Sequence, residues 1–335
     1  MLRNFKHNRG YTSKSLSKIN RNFPHSSRTF GVAASSSAIF TGSDDRHIKA
    51  WSSKTYEPVF EKQAKCVSCL DATEKLLLAG LFDGSIPVYN ASSGDLIFTC
   101  SRHMGPVYDI KHDDELKVLV SGSSDCTVRI WCLEEGTMKN VLRGHETMIN
   151  RILLLPAGLS GFGKDLIFSM DIARIIVWDL GSKKQIGVLS PEPVKKRDTY
   201  LQPGLLFTKE IGKINSVENN FIVSGSSQGI IFWDAETFEV FRIVRSTSYH
   251  PSESVVGVGS AMIAITSDEG IALIDSVTGD GCGQISVPQF NNSNCGVWLD
   301  PKGWLDGNTE DLNDKLIFVA TTSAFDVLCY YLETS

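Results

Sequence analysis

Nowhere in these 335 residues does an apolar run approach the ~20 residues that a helix needs to cross a membrane. The N-terminus lacks the apolar core of a secretory signal as well, and no membrane partner is expected. A large charge excess is also missing. The chain has 33 Lys+Arg against 38 Asp+Glu, a formal net charge of −5. It therefore has no global attraction to a phosphate backbone, and the composition argues against nucleic acid as a partner. Sustained 3.6-residue periodicity is absent, so no helix of useful length is expected. The eight cysteines (Cys66, Cys69, Cys100, Cys126, Cys132, Cys282, Cys295 and Cys329) keep no regular spacing and fall mostly in apolar stretches. Without a secretory signal they read as reduced, buried, small hydrophobes.

What the chain does have is repetition. The segments IFTGSDDRHIKAWSS (39–53), VLVSGSSDCTVRIWCL (118–133), LIFSMDIARIIVWDL (166–180) and FIVSGSSQGIIFWDA (221–235) share one pattern. Each is an apolar run, then a Gly/Ser/Asp turn, then an alternating apolar run that ends in Trp, which reads as a β-hairpin. Weaker copies lie at 76–91, 262–276 and 316–332. The aligned positions Trp51, Tyr89, Trp131, Trp178, Trp233, Ile274 and Tyr330 are 38, 42, 47, 55, 41 and 56 residues apart. The shorter steps match the ~40–45 residues of a four-stranded propeller blade.

This pattern resembles the WD-repeat family from about Phe23 to Leu332. The resemblance implies an all-β, seven-bladed propeller closed by an N-terminal strand. Blades are expected at about 29–62, 65–101, 106–142, 147–189, 204–243, 254–287 and 294–332, the last completed by 15–23 (SLSKINRNF), with 1–14 as a basic flexible tail. The family signature is a Gly-His pair, an Asp in the turn between second and third strands, and a Trp-Asp pair. It implies a structural hydrogen-bond chain of hydroxyl, imidazole, carboxylate and indole. In this sequence the matching positions are His25, Thr41, Asp45 and Trp51 in blade one, and His103, Ser121, Asp125 and Trp131 in blade three. Blade four offers His145 and Trp178, with Asp171 one residue early, and blade six offers His250 and Asp268. Blades two and seven are degenerate. Histidines bound into such a chain are not free bases.

In a propeller, function lies in loops on a rigid scaffold. Three connections are longer than a blade needs: 156–165, 189–204 and 300–315. The second carries Lys195, Lys196 and Arg197 beside Tyr200, a candidate site for an acidic peptide or a phosphate group. The third is acidic and tipped by Trp304, a candidate aromatic anchor for a partner. Several motif matches fail on context. GSSQG (225–229) lies between strands and not between strand and helix. CVSC (66–69) has no second pair and would point its sulfurs to opposite faces. GDGCG (279–283) precedes no helix, and the acidic 306–314 lacks calcium-loop order.

The expected function is therefore a non-enzymatic scaffold or adaptor for other proteins or peptides, a monomer within a larger complex, with no cofactor, metal or catalytic residue. One alternative is substrate recognition for a ubiquitin ligase or another multi-protein complex. A second is an enzyme using the central channel, which would need a cluster of polar, inward-facing ends of innermost strands, and the apolar or small residues at the blade entries speak against it. A cytoplasmic location is expected. Residues 1–43 contain no Asp or Glu, and this basic, serine-rich start also fits a mitochondrial transit peptide, with RGYTS (9–13) as a processing site after Tyr11.

Overall fold

A computed structural model describes residues 25–191 apart from 56 and 161–162. Elsewhere it describes 11–18, 201–208, 221–226, 229–245, 255–258, 262–267, 270–275, 281–285, 297–299, 317–321 and 327–334. The strands form seven four-stranded antiparallel sheets. The chain starts with β1 (Tyr11–Lys18). The first sheet is β2 (Thr29–Ala34), β3 (Ala38–Ser43), β4 (His47–Ser52) and β5 (Pro58–Gln63). The second is β6 (Val67–Ala72), β7 (Leu76–Leu81), β8 (Ser85–Asn90) and β9 (Leu96–Ser101). The third is β10 (Val107–Asp113), β11 (Val118–Ser123), β12 (Thr127–Cys132) and β13 (Met138–Arg143). The fourth is β14 (Arg151–Leu155), β15 (Leu166–Met170), β16 (Ile175–Asp179) and β17 (Gln185–Leu189), with a one-turn helix, α1 (Ala157–Ser160), after β14. The fifth is β18 (Leu201–Thr208), β19 (Phe221–Ser226), β20 (Gly229–Asp234) and β21 (Val240–Arg245). The sixth is β22 (Val255–Val258), β23 (Met262–Ser267), β24 (Gly270–Asp275) and β25 (Gly281–Ile285). The seventh comprises β26 (Val297–Leu299), β27 (Ile317–Thr321) and β28 (Val327–Thr334), with β1 as its outer member.

The innermost strands lie side by side in chain order, β2, β6, β10, β14, β18, β22 and β26, and β26 also touches β2. This is a β-propeller. The aligned aromatic position of the sequence repeat has a structural counterpart. The pairing of third with fourth strand shifts register at Trp51, Tyr89, Trp131, Trp178, Trp233 and Ile274. Such a bulge adds local twist to the outer strand of each sheet.

The core lies between sheets. Phe40, Ile48 and Ala50 of the first pack with Leu77, Ala79 and Leu81 of the second. Trp131 packs against Leu78, Ile86 and Val88 of the sheet before it, and Trp178 and Trp233 repeat the arrangement against the third and fourth sheets. Full burial of a side chain such as Phe40 contributes roughly 1.5–3 kcal/mol, and here the contribution requires two neighbouring sheets together. Close approach of sheets also explains the glycine in the repeated Ser-Gly-Ser or Thr-Gly-Ser. A Cβ on Gly42 would come within 2.4 Å of Val67 Cγ1, and one on Gly122 within 2.6 Å of Ile149 Cγ2.

The outer strand of the seventh sheet begins earlier than the sequence suggests. It starts at Tyr11, opposite Thr334, and runs to Lys18, opposite Leu328. Residues 11–14, expected in the flexible tail, are thus paired, while 19–23 of the expected strand lie outside the described residues. The reason is the length of β28, whose eight residues run to Thr334 and offer backbone partners to a Tyr/Thr/Ser segment suited to a strand.

Candidate functional site

The turns between second and third strands and the loops leading into each sheet meet on one face, held by polar networks. In the third sheet, His103 Nδ1–H donates to Asp125 Oδ2 at 2.8 Å, Ser121 Oγ–H donates to His103 Nε2 at 2.8 Å, and Trp131 Nε1–H donates to Ser121 Oγ at 2.8 Å. These roles follow from chemistry: an ionised carboxylate only accepts, which places the imidazole proton on Nδ1. The fourth sheet has the same chain from His145 to Asp171 (2.7 Å) and Ser169 (2.6 Å), with Trp178 Nε1–H donating to Ser169 at 2.8 Å. Asp171 fills the role despite its offset, because the turn after β15 is tight: the Asp171 amide donates to Arg174 O at 3.0 Å.

In the first sheet His25 contacts Asp45 at 2.8 Å and Thr41 at 2.7 Å, but Trp51 Nε1 finds no acceptor among the described residues. In the fifth, Trp233 Nε1–H donates to Ser224 Oγ at 2.8 Å. His250 and Asp268 lie outside the described residues, as do Lys195, Lys196, Arg197, Tyr200 and Trp304.

The electrostatics favour structure over proton transfer. Burial pushes the Asp45 carboxyl up, but the His25 ring and the backbone N–H groups of Ser26 and His47 outweigh it and hold the group at about 2. Asp125 is likewise held at about 2, with burial opposed by Thr127, the Met104 N–H and His103. Burial lowers His103, and Asp125 only partly offsets it. A carboxylate this acidic beside a neutral imidazole, both fully bonded, is a poor base for catalysis and a stable joint between turn and loop.

The same carboxylates position the loops. Asp125 Oδ2 accepts from the Met104 N–H at 3.0 Å, and Asp45 Oδ2 from the Ser26 N–H at 2.9 Å. Met104 is 88% exposed, and Met148 and Ile172, on the corresponding loop and turn of the fourth sheet, are each 46% exposed. Sequence reasoning passed over these three, because an isolated apolar letter in a loop carries no signal until the fold puts it on a face.

The innermost strands correct another expectation. They are not uniformly apolar or small: β6 carries Asp71, β10 carries Asp109, Lys111 and His112, and β14 carries Arg151. Lys111 Nζ lies 3.9 Å from Asp71 and 3.8 Å from Asp109. Asp71 Oδ2 also accepts from His112 Nδ1 at 2.7 Å, and Asp109 Oδ2 from the Ile152 N–H of the next sheet at 2.8 Å. Burial works against the Lys111 charge, and Asp109 and Asp71 overcome it and raise the group. Both carboxylates are engaged, so the cluster ties three sheets together. Among the described residues no group of three or more His, Cys, Asp or Glu could hold a metal ion. The two sulfurs of CVSC also part, Cys66 toward Asp44 O and Cys69 toward Val107 O.

A sequence profile of the WD domain, G-beta repeat, matches residues 94–132, from the turn before β9 to the end of β12. The WD repeat-containing protein pop2 of Schizosaccharomyces pombe is 28% identical over 181 residues, covering 49% of this chain and 25% of that protein. The chain thus carries a WD repeat. The angio-associated migratory cell protein of Homo sapiens is 27% identical over 263 residues, 74% of this chain and 58% of that protein. Eukaryotic translation initiation factor 3 subunit I of Meyerozyma guilliermondii is 24% identical over 187 residues, 54% and 50% of the two lengths. The chain thus spans less than two thirds of the length of these relatives.

Proposed function

We propose that this WD-repeat chain is a non-catalytic scaffold that binds a protein partner through the face built by its histidine networks, as a component of a larger complex. The carrying observation is Met104. An 88% exposed apolar side chain is anchored by its own N–H to Asp125, whose other partners are buried. Met148 and Ile172, on the corresponding loop and turn of the next sheet, are exposed as well. Apolar anchors preorganised on a rigid frame are what a protein interface needs. One relative is by name a subunit of a translation initiation factor, which supports a role within an assembly.

The test is affinity capture from cells with the intact chain and with a Met104→Asp/Met148→Asp/Ile172→Asp variant. Reproducible partners that disappear with the variant are expected. Capture that is unchanged in the variant, or no reproducible partner at all, overturns the proposal. A cytoplasmic location is part of it. Imaging the full chain beside one lacking residues 1–10 checks this, and a tail-dependent mitochondrial signal counts against it.

A further inference from the structure

We infer that β9, the outer strand of the second sheet, pairs edge to edge with β9 of a second copy of this chain, antiparallel and about a two-fold axis. This goes beyond the scaffold reading and departs from the monomer expected from the sequence.

β9 ends the order β6-β7-β8-β9, and no strand among the described residues pairs with its outer edge. A free edge is a template for another strand, and proteins ordinarily guard it with charge, proline or a break in the strand. The other outer strands are guarded. β5 carries Lys62, β13 Lys139, β21 Arg242 and β1 Lys14. β17 and β25 are weakened by Gly187 and Gly283. β9 reads Leu-Ile-Phe-Thr-Cys-Ser, with no charge, proline or glycine. Leu96 is 58% exposed and Ile97 51%. Ile97 is also the residue that the bulge leaves without a partner on β8.

The neighbouring sheets hold this edge in place. A Cβ on Gly94, in the turn before β9, would come within 2.9 Å of the Phe60 ring of the first sheet. Phe98 of β9 lies against Gly136 of the third, 2.5 Å from a Cβ built there. An edge fixed on both sides loses little freedom when a strand joins it.

The ends of β9 name the occupant. Asp95 precedes the strand and Arg102 follows it, and both are exposed. Lys62 Nζ lies 3.4 Å from Asp95, whose side chain is still 73% exposed. Antiparallel apposition of two copies brings Asp95 of each to the Arg102 end of the other, so opposite charges meet at both ends. Parallel apposition would set like beside like. β17, also uncharged, follows Lys183 and Lys184 and precedes Ser190, so a second copy would gain no such match there. β9 runs toward the loop that carries His103, so the two-fold turns the histidine-network faces of the two copies opposite ways. Six residues a side make a small contact, and the dimer is therefore reversible and concentration-dependent.

Sedimentation velocity of the intact chain from about 1 to about 200 μM, the range of weak reversible contacts, tests the pairing. Monomer should give way to dimer as concentration rises. Ile97→Lys, at an exposed position, should remain monomeric with its melting temperature nearly unchanged. Asp95→Arg and Arg102→Asp should each weaken the dimer at least about tenfold. Mixing these two variants should restore it, because each copy then meets the opposite charge on the other at both ends. An intact chain that stays monomeric throughout, a dimer that survives Ile97→Lys, or charge variants that fail to rescue one another overturn the inference. So does a monomeric chain from which Ile97→Lys removes a partner captured from cells, an outcome that gives the edge to another protein's strand.

Discussion

Trp131 and Trp51 hold equivalent places in their sheets, yet Trp131 Nε1–H reaches Ser121 Oγ at 2.8 Å while Trp51 Nε1 finds no acceptor among the described residues. The hydroxyl at the corresponding position in the first sheet belongs to Thr41, whose contact is to His25. A β-branched side chain has few rotamers with which to serve both neighbours. Both indoles are buried to within 1%, so replacing either by Phe removes similar apolar area. Trp131→Phe also strips Ser121 of a donor, whereas Trp51→Phe removes an unsatisfied one. Trp131→Phe should therefore cost about 1–3 kcal/mol more than Trp51→Phe in urea unfolding. Equal costs would show that the two networks are energetically alike.

Acid should unfold the propeller in two stages. Asp45 and Asp125 are held at about 2 against an ordinary 3.8, so their contribution is complete above roughly pH 4 and lost as pH falls toward 2. His103 is lowered from 6.5, which favours its neutral form in the folded chain. Its contribution is complete above that value and begins to fade below it. Melting temperature measured from pH 8 to 2.5 should decline gently below about 6.5 and steeply below about 4. Asp125→Asn should flatten the steep limb, and an unchanged limb would exclude Asp125 as its source.

Gly122→Ala should destabilise by about 1–3 kcal/mol, because the added methyl meets the buried Ile149 of the loop leading into the next sheet. Gly158 provides a control, since nothing lies within 4 Å of a Cβ built there, and Gly158→Ala should be neutral or slightly stabilising. Chemical denaturation of the pair separates inter-sheet packing from a general intolerance of alanine.

Lys18 pairs with Leu328 across about 310 residues of chain, a loop whose closure costs roughly 5 kcal/mol in chain entropy. The β1–β28 pairing should then be an early one to open. Hydrogen exchange is expected to show β28 amides less protected than those of β12. Deleting residues 1–18 should lower the melting temperature, and deleting 1–10 should not. Equal effects of the two deletions would contradict the pairing.

The repeat was legible because a propeller writes its sheets locally: the hairpin, its turn and the closing Trp all lie within about fifteen residues. The hydrogen-bonded partners of His103 and His25 lie 16 to 22 residues away, still within one repeat, and were legible with it. Asp171 was harder to place, because the tight turn after β15 changes the letter count without changing where the carboxylate arrives. The charges on β6, β10 and β14 were misjudged because Asp71, Asp109, Lys111 and Arg151 make sense only across sheets.

Since Tyr11 lies opposite Thr334, the two ends of the paired chain leave the molecule at one seam in the seventh sheet, across the ring from the third and fourth. Tags placed before β1 or after β28 would report on the same spot and leave Met104 clear. A short linker across that seam would let the chain be circularly permuted, with new ends opened in any outward-facing turn.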